Sequence, residues 1–193
     1  MIRNVTVFCA SSKKTTNKYL KVTREMADIL IDNEIGVIYG GGAIGLMGCL
    51  ADRFIHRGGT IRGVIPEFMV KVEWAHPFVN DMIIVRDMHE RKKLLIENTD
   101  AVIALPGGTG TLEELMEVLS LKRLGKFFKP IILVNTDGFY NPLLELFTKM
   151  VSENFLRPEH LNAFRVIHNP SELIEAINGS TDWDENAIHS ASV

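Results

Sequence analysis

Short apolar runs alternate along the chain with longer stretches in which apolar residues return every third or fourth position. The runs at residues 4–9, 36–39, 60–65, 81–86, 101–105 and 130–134 are rich in Val, Ile and Leu, the pattern of strands buried on both faces of a parallel sheet. Between them, residues 17–33 carry Tyr19, Val22, Met26, Ile29 and Leu30 on one helical stripe. Residues 112–124 carry a broader belt of Leu112, Leu115, Met116, Leu119, Leu121 and Leu124. Further helices are predicted up to about Arg57, over 87–96 with Asp87 as N-cap, and from Asn141-Pro142 with proline at the first helical position. An edge strand at 164–167 and a closing helix at 170–177 complete the series. Residues 67–80 contain Trp74, His76 and Pro77 without clear periodicity and read as a surface excursion. Strands alternating with helices through short turns predict an α/β fold, a doubly wound parallel sheet in three αβα layers, as a single domain over residues 1–178. Residues 179–193 have little apolar content and are expected to form a disordered tail.

That topology gathers the turns that follow strands at one carboxyl edge, where ligands of such sheets collect. The most informative turn is Pro106-Gly107-Gly108-Thr109-Gly110-Thr111-Leu112-Glu113-Glu114, between a buried strand and a helix. Glycines let the backbone approach a ligand, and a helix N-terminus offers unpaired N–H groups and a partial positive charge, a cradle for phosphate. The stretch is neither a Walker A loop nor a G-x-G-x-x-G fingerprint. A carboxylate beside a phosphate cradle is repelled by phosphate, so Glu113 and Glu114 are best explained as addressing another part of one ligand. The competing reading is local: acidic residues complement the helix dipole, and Thr111 with Glu114 fits a capping box. Gly40-Gly41-Gly42 after the second strand reads as another phosphate or ribose cradle, or as tight strand-to-helix packing without a ligand. Ser11 and Ser12 follow the first strand and either bind the ligand or cap the next helix. On local grounds Arg91 and Lys92 are a solvated basic face.

Pro106-Gly107-Gly108-x-Gly110-Thr111-x-x-Glu114, preceded at the matching distance by Met88-His89-x-Arg91-Lys92, resembles the paired motifs of the LOG ("lonely guy") phosphoribohydrolases, long labelled lysine decarboxylases. The resemblance runs from the first strand to about Phe147. It implies a Rossmann-like homodimer that hydrolyses the N-glycosidic bond of cytokinin riboside 5′-monophosphates or AMP to free base and ribose 5-phosphate. Carried over residue by residue, it makes Arg91 the catalytic cation near the leaving base and Glu114 the carboxylate at C1′. Glu113 is expected on the ribose hydroxyls, with exchange between the two glutamates left open. Gly107, Gly108, Thr109, Gly110 and Thr111 become the phosphate cradle, with Ser11, Ser12, Gly41, Gly42 and Lys92 around the rest of the substrate. Glu73 and Ser120 resemble further substrate contacts, although locally they are a loop carboxylate and a helix hydroxyl bonded to its own backbone. Ala10 stands where the family usually has Gly, and the neighbours of Glu73 depart from the usual pattern, so base preference would diverge there.

Composition narrows the alternatives. The chain has 193 residues and a formal charge of −3, which leaves no basic footprint for a nucleic-acid polymer. No apolar run approaches the roughly 20 residues needed to cross a bilayer, so no membrane partner is expected. Cys9 and Cys49 lack metal-type spacing and point, with the absence of a leader pattern, to the cytoplasm; no metal and no cofactor is expected. The apolar surplus at 112–124 is expected to serve a homodimer. A second reading of the same residues is a non-catalytic protein that binds a nucleotide or a molybdopterin-type cofactor. The decarboxylase label would need a lysine suited to a pyridoxal phosphate Schiff base, and no such environment is recognisable.

Overall fold

The computed structural model describes residues 2–71, 74–179 and 183–191. Strands β1 (Asn4–Phe8), β2 (Gly36–Tyr39), β3 (Ile61–Pro66), β4 (Asp81–Val85), β5 (Ala101–Ala104), β6 (Ile131–Val134) and β7 (Arg165–Ile167) form one parallel sheet in the order β4-β3-β2-β1-β5-β6-β7. The helices are α1 (Asn17–Asp32), α2 (Gly45–Arg57), a short α3 (Glu67–Val70), α4 (Met88–Glu97), α5 (Thr109–Arg123), α6 (Asn141–Ser152) and α7 (Leu173–Asn178). Val5, Val7 and Ile103 pack with Met26 and Leu30 of α1, Leu50 and Phe54 of α2 and Leu173 of α7. Phe8, Val102 and Ala104 face the other way, onto Leu95 of α4 and Leu115 and Val118 of α5. Because helices cover both faces, β2, β5 and β6 are buried at every position and read as unbroken apolar runs.

Strand order reverses between β1 and β5. The chain progresses outward one way from β1 to β4 and the other way from β5 to β7, which opens a crevice at the carboxyl ends of β1 and β5. Local chemistry fixes the elements around it. The Asp87 carboxylate accepts the Glu90 N–H at 2.9 Å and starts α4, and Gly58 ends α2 in the left-handed region at φ 70°. Past β5, the buried Tyr140 hydroxyl donates to the Leu105 carbonyl at 2.7 Å, while the Tyr140 N–H donates to Asn135 Oδ1 at 2.7 Å. These bonds anchor the turn that begins at Pro106 to the end of β6.

Some boundaries differ from the sequence reading. The helix placed at 112–124 starts at Thr109, with Gly108 as N-cap and no side-chain cap. Periodicity misses this turn because it carries no apolar residue, and the first N–H groups of a helix make no intrahelical bond in any case. Thr111 is therefore inside the helix, and the capping box with Glu114 does not form. The excursion at 67–80 contains α3 and an isolated antiparallel bridge between Gly42 and Ala75. Of the tail read as disordered, residues 183–191 are described, with a 3-10 turn at Glu185–Ser190. That turn lies close against Gly125, where a Cβ would meet the Glu185 carbonyl at 2.7 Å.

Tyr140→Phe removes a buried donor and leaves the Leu105 carbonyl without this partner. It is expected to lower stability by about 1–2 kcal/mol with an unchanged denaturant slope, measured by urea unfolding.

Candidate active site

Arg91 lies in the first turn and a half of α4, where Asp87 starts the helix, and its side chain runs inward to the ends of β2 and β3. It is 6% exposed. Its Nε donates to the Val64 carbonyl at 3.2 Å, Nη2 to the Gly40 carbonyl at 3.3 Å, and Nη1 lies 3.1 Å from Glu114 Oε1. Gly40 is required for this fit, since a Cβ there would sit 2.2 Å from Arg91 Nη2. Glu114 belongs to the inward face of α5, with Thr111, Leu115, Val118 and Lys122. Burial pushes its carboxyl up to about 7, against the pull of the Arg91 guanidinium and helped by Glu113. Cys9 shares this environment, its thiol held neutral by burial and by the nearby Glu114.

The pair forms one wall of a cavity of about 570 Å³ at the switch point. A second wall is the start of α5, Gly108 to Thr111, whose first N–H groups have no intrahelical acceptor and which is favourable to an anion. A third is apolar and adaptable, made by Met47, Ile65, Met69, Trp74 and Met88. The bridge that joins Gly42 to Ala75, with Ala43 donating to the Trp74 carbonyl at 3.0 Å, holds Trp74 at the rim. Among the described residues no group of three His, Cys, Asp or Glu side chains is arranged to hold a metal.

Of the residues read from sequence, Arg91, Glu114, Ser11, Ser12, Gly42, Gly108, Thr109, Gly110 and Thr111 line this cavity. Others are placed elsewhere. Gly41, at φ 76°, packs on the sheet, where a Cβ would meet Ile65 at 2.9 Å and Met82 at 3.0 Å. Gly107 packs against Thr111, whose Oγ1 would lie 2.1 Å from a Cβ there. Lys92 and Glu113 pair at 2.6 Å on the outer surface, with Glu117 also 2.9 Å from the ammonium. The Ser120 hydroxyl donates to its own helix at Met116 O, 2.7 Å away, and is exposed. Glu73 lies outside the described residues. Sequence reasoning took Gly40 for part of a ligand cradle rather than the partner of Arg91, and it missed Cys9 and the methionines as cavity residues. Gly40 had a signal in the glycine run, but its partner Arg91 is 51 positions away.

Fold and site together define a Rossmann-like α/β protein whose cavity sets a helix N-terminus beside a buried acid–guanidinium pair. Residues 47–177 match the sequence model of a family described as "Possible lysine decarboxylase". The chain is 41% identical, over 96% of its length and 76% of the relative's, to a rice (Oryza sativa subsp. japonica) protein named "Probable cytokinin riboside 5′-monophosphate phosphoribohydrolase LOGL2". It is also 41% identical, over 81% of its length and 79% of the relative's, to the cytokinin riboside 5′-monophosphate phosphoribohydrolase of Rhodococcoides fascians. The chain belongs to the LOG family. Among solved structures, the molybdenum cofactor carrier protein of Chlamydomonas reinhardtii shares the fold, with a TM-score of 0.70 over 92% of this chain and 97% of that one at 18% identity.

Arg91→Met strands a buried carboxylate and is expected to cost about 3–5 kcal/mol, whereas the double replacement Arg91→Met with Glu114→Leu recovers most of that loss. Chemical denaturation of the single and double variants checks the coupling.

Proposed function

We propose that this chain hydrolyses the N-glycosidic bond of cytokinin riboside 5′-monophosphates, and of AMP, to free base and ribose 5-phosphate. The observation that carries the reading is the buried Arg91–Glu114 pair, 3.1 Å apart, beside the start of α5 in one cavity. The names of the relatives support the same substrate class. In this reading the 5′-phosphate rests on the N–H groups of Gly108 to Thr111, with Ser11, Ser12 and Gly42 about the sugar. The base lies against Met47, Met69, Trp74 and Met88, which leaves C1′ facing Glu114.

Departure of the base leaves an oxocarbenium-like sugar. The Glu114 carboxylate stabilises that charge and takes a proton from the water whose oxygen bonds to C1′, while the C1′–N bond electrons leave with the base, which is then protonated. Arg91 acts first by aiming Glu114, because its guanidinium is already engaged by the carboxylate and two backbone carbonyls. Its positive charge also lies in the cavity wall. Lys92 and Glu113 act from outside by tying α4 to α5. A homodimer belongs to the same reading, supported by Leu112, Met116 and Leu119 of α5, which remain only partly covered. A cytoplasmic setting agrees with two free cysteines, and no helix among the described residues is long and apolar enough to cross a membrane.

The working form of Glu114 is the carboxylate, so kcat/KM is expected to fall as pH drops below about 7 and to level off above it. The sign for stability is opposite. The folded state retains a proton that the unfolded chain, with a carboxyl near 4.5, releases, so this group's contribution declines as pH rises from 4.5 to about 7. Glu114→Gln should abolish the acidic limb and lower kcat at least about 100-fold, and because it leaves the buried Arg91 charge without its carboxylate its urea midpoint is expected to fall as well. Chromatographic detection of free base from AMP and isopentenyladenosine monophosphate across pH measures the rates, and urea unfolding across pH measures the stabilities. Bound nucleotide with no base released would instead favour a carrier.

A further inference from the structure

A second cavity of about 590 Å³ lies between α1 and α2, on the other side of the β1–α1 loop. Gly45, Gly48 and Cys49 of α2 line it, and the two glycines let the preceding loops pack close, since a Cβ would meet Ser12 N at 2.6 Å from Gly45 and the Ala43 carbonyl oxygen at 2.3 Å from Gly48. Four basic side chains line it, Lys13 from the loop, Arg24 from α1, and Arg53 and His56 from α2, against one carboxylate, Asp52. Their commitments differ. Arg53 grips Asp28 with bonds of 2.7 and 2.8 Å, and Arg57 bridges Asp28 and Asp32 at 2.9 Å each, so these two guanidiniums and two carboxylates cancel. Asp52 is turned to His76, 3.2 Å away.

Arg24 is different. It joins no ion pair among the described residues, and the nearby Glu25 is 3.6 Å from Lys21 instead. The partner that holds Arg24 is a thiol, with Nη1 3.7 Å from Cys49 Sγ, while that sulfur donates to the Leu20 carbonyl at 3.6 Å. Lys13 also pairs with no carboxylate among the described residues. On a convex helix face such charges are simply hydrated. Here Lys13 and Arg24 border one shallow, solvent-open groove, and unpaired charges of one sign that share a concave surface raise the local concentration of the opposite ion.

We infer that this groove is a second anion site, one that takes a small phosphate-bearing anion with Arg24 as its principal ligand. A guanidinium offers forked donors that match phosphate oxygens, and Lys13 adds charge from the β1–α1 loop. Ser12, Lys13, Ala43 and Ile44 line both cavities, so an occupant here adjoins the one that holds Arg91 and Glu114. The site is defined by its own charges and does not depend on the reaction proposed above.

Isothermal titration of the full-length protein at low ionic strength, with pyrophosphate, inorganic phosphate and ribose 5-phosphate in separate runs, tests this. Saturable pyrophosphate binding is expected, weakened about tenfold or more by Arg24→Ala, partly retained in Arg24→Lys, and reduced by added salt. Tighter binding of ribose 5-phosphate than of phosphate, with the same sensitivity to Arg24→Ala, would assign the site to a sugar phosphate; the reverse order would assign it to inorganic anions. Arg24 is exposed and outside the other cavity, so base release by Arg24→Ala should match the parent. Undiminished pyrophosphate affinity in a folded Arg24→Ala protein overturns the inference. So does an absence of binding at millimolar concentration, or competition by AMP that fully accounts for the binding in Glu114→Gln.

Discussion

The site depends on an ion pair that water has been made to leave. Arg91 and Glu114 are nearly inaccessible, and removing two charges from water is unfavourable unless every polar atom finds a partner. The structure meets that condition from several directions at once. The Val64 carbonyl within β3 and the Gly40 carbonyl just past β2 accept from the guanidinium, Gly40 carries no side chain where one would collide with it, and α5 brings the carboxylate. A pair held this way has little freedom to reorganise. Burial keeps the proton affinity of Glu114 high against the pull of Arg91, while the contact with Arg91 fixes its direction.

Much of the fold could be read from the sequence because its signals are strong and local. Parallel strands covered on both faces give apolar runs, and glycine at the ends of strands marks the carboxyl edge. The site was legible only in part, for a reason visible on α5. Its buried residues are Thr111, Glu114, Leu115, Val118 and Lys122, a single helical stripe. Leu115 and Val118 announce that stripe, and Glu114 falls on it whereas Glu113 does not. Helical spacing thus distinguishes the two adjacent glutamates, provided a carboxylate is allowed to count as a core residue. Lys122 makes the same point in reverse. It occupies a core position far from the cavity, its amine bonded to the Lys129 carbonyl at 2.7 Å and pushed down to about 8 by burial.

What stayed hidden was long-range pairing. The three glycines after β2 suggested a ligand cradle, yet each answers to a different neighbour. Gly40 admits Arg91, Gly41 packs on Ile65 and Met82, and Gly42 joins the bridge to Ala75 while a Cβ there would press on Met47. No local rule connects residue 40 to residue 91. Lys92 shows the converse failure. It adjoins Arg91 in sequence, but a helix turns neighbours to different sides, so one cation enters the core and the other reaches the exposed Glu113.

Shared architecture does not decide between turning a nucleotide over and holding one. The carrier protein of similar fold shares the sheet at 18% identity, a likeness of fold alone. Binding alone would be served by neutral donors around the sugar. A buried carboxylate instead weakens affinity for an anionic ligand, through repulsion and through the desolvation of its own charge. Such a group is tolerable in a phosphate-binding cavity when positive charge appears beside it during the reaction, because the repulsion in the ground state then becomes attraction at C1′. In the proposed reaction the placement of Glu114, beside the start of α5 and 3.1 Å from Arg91 of α4, would supply that asymmetry.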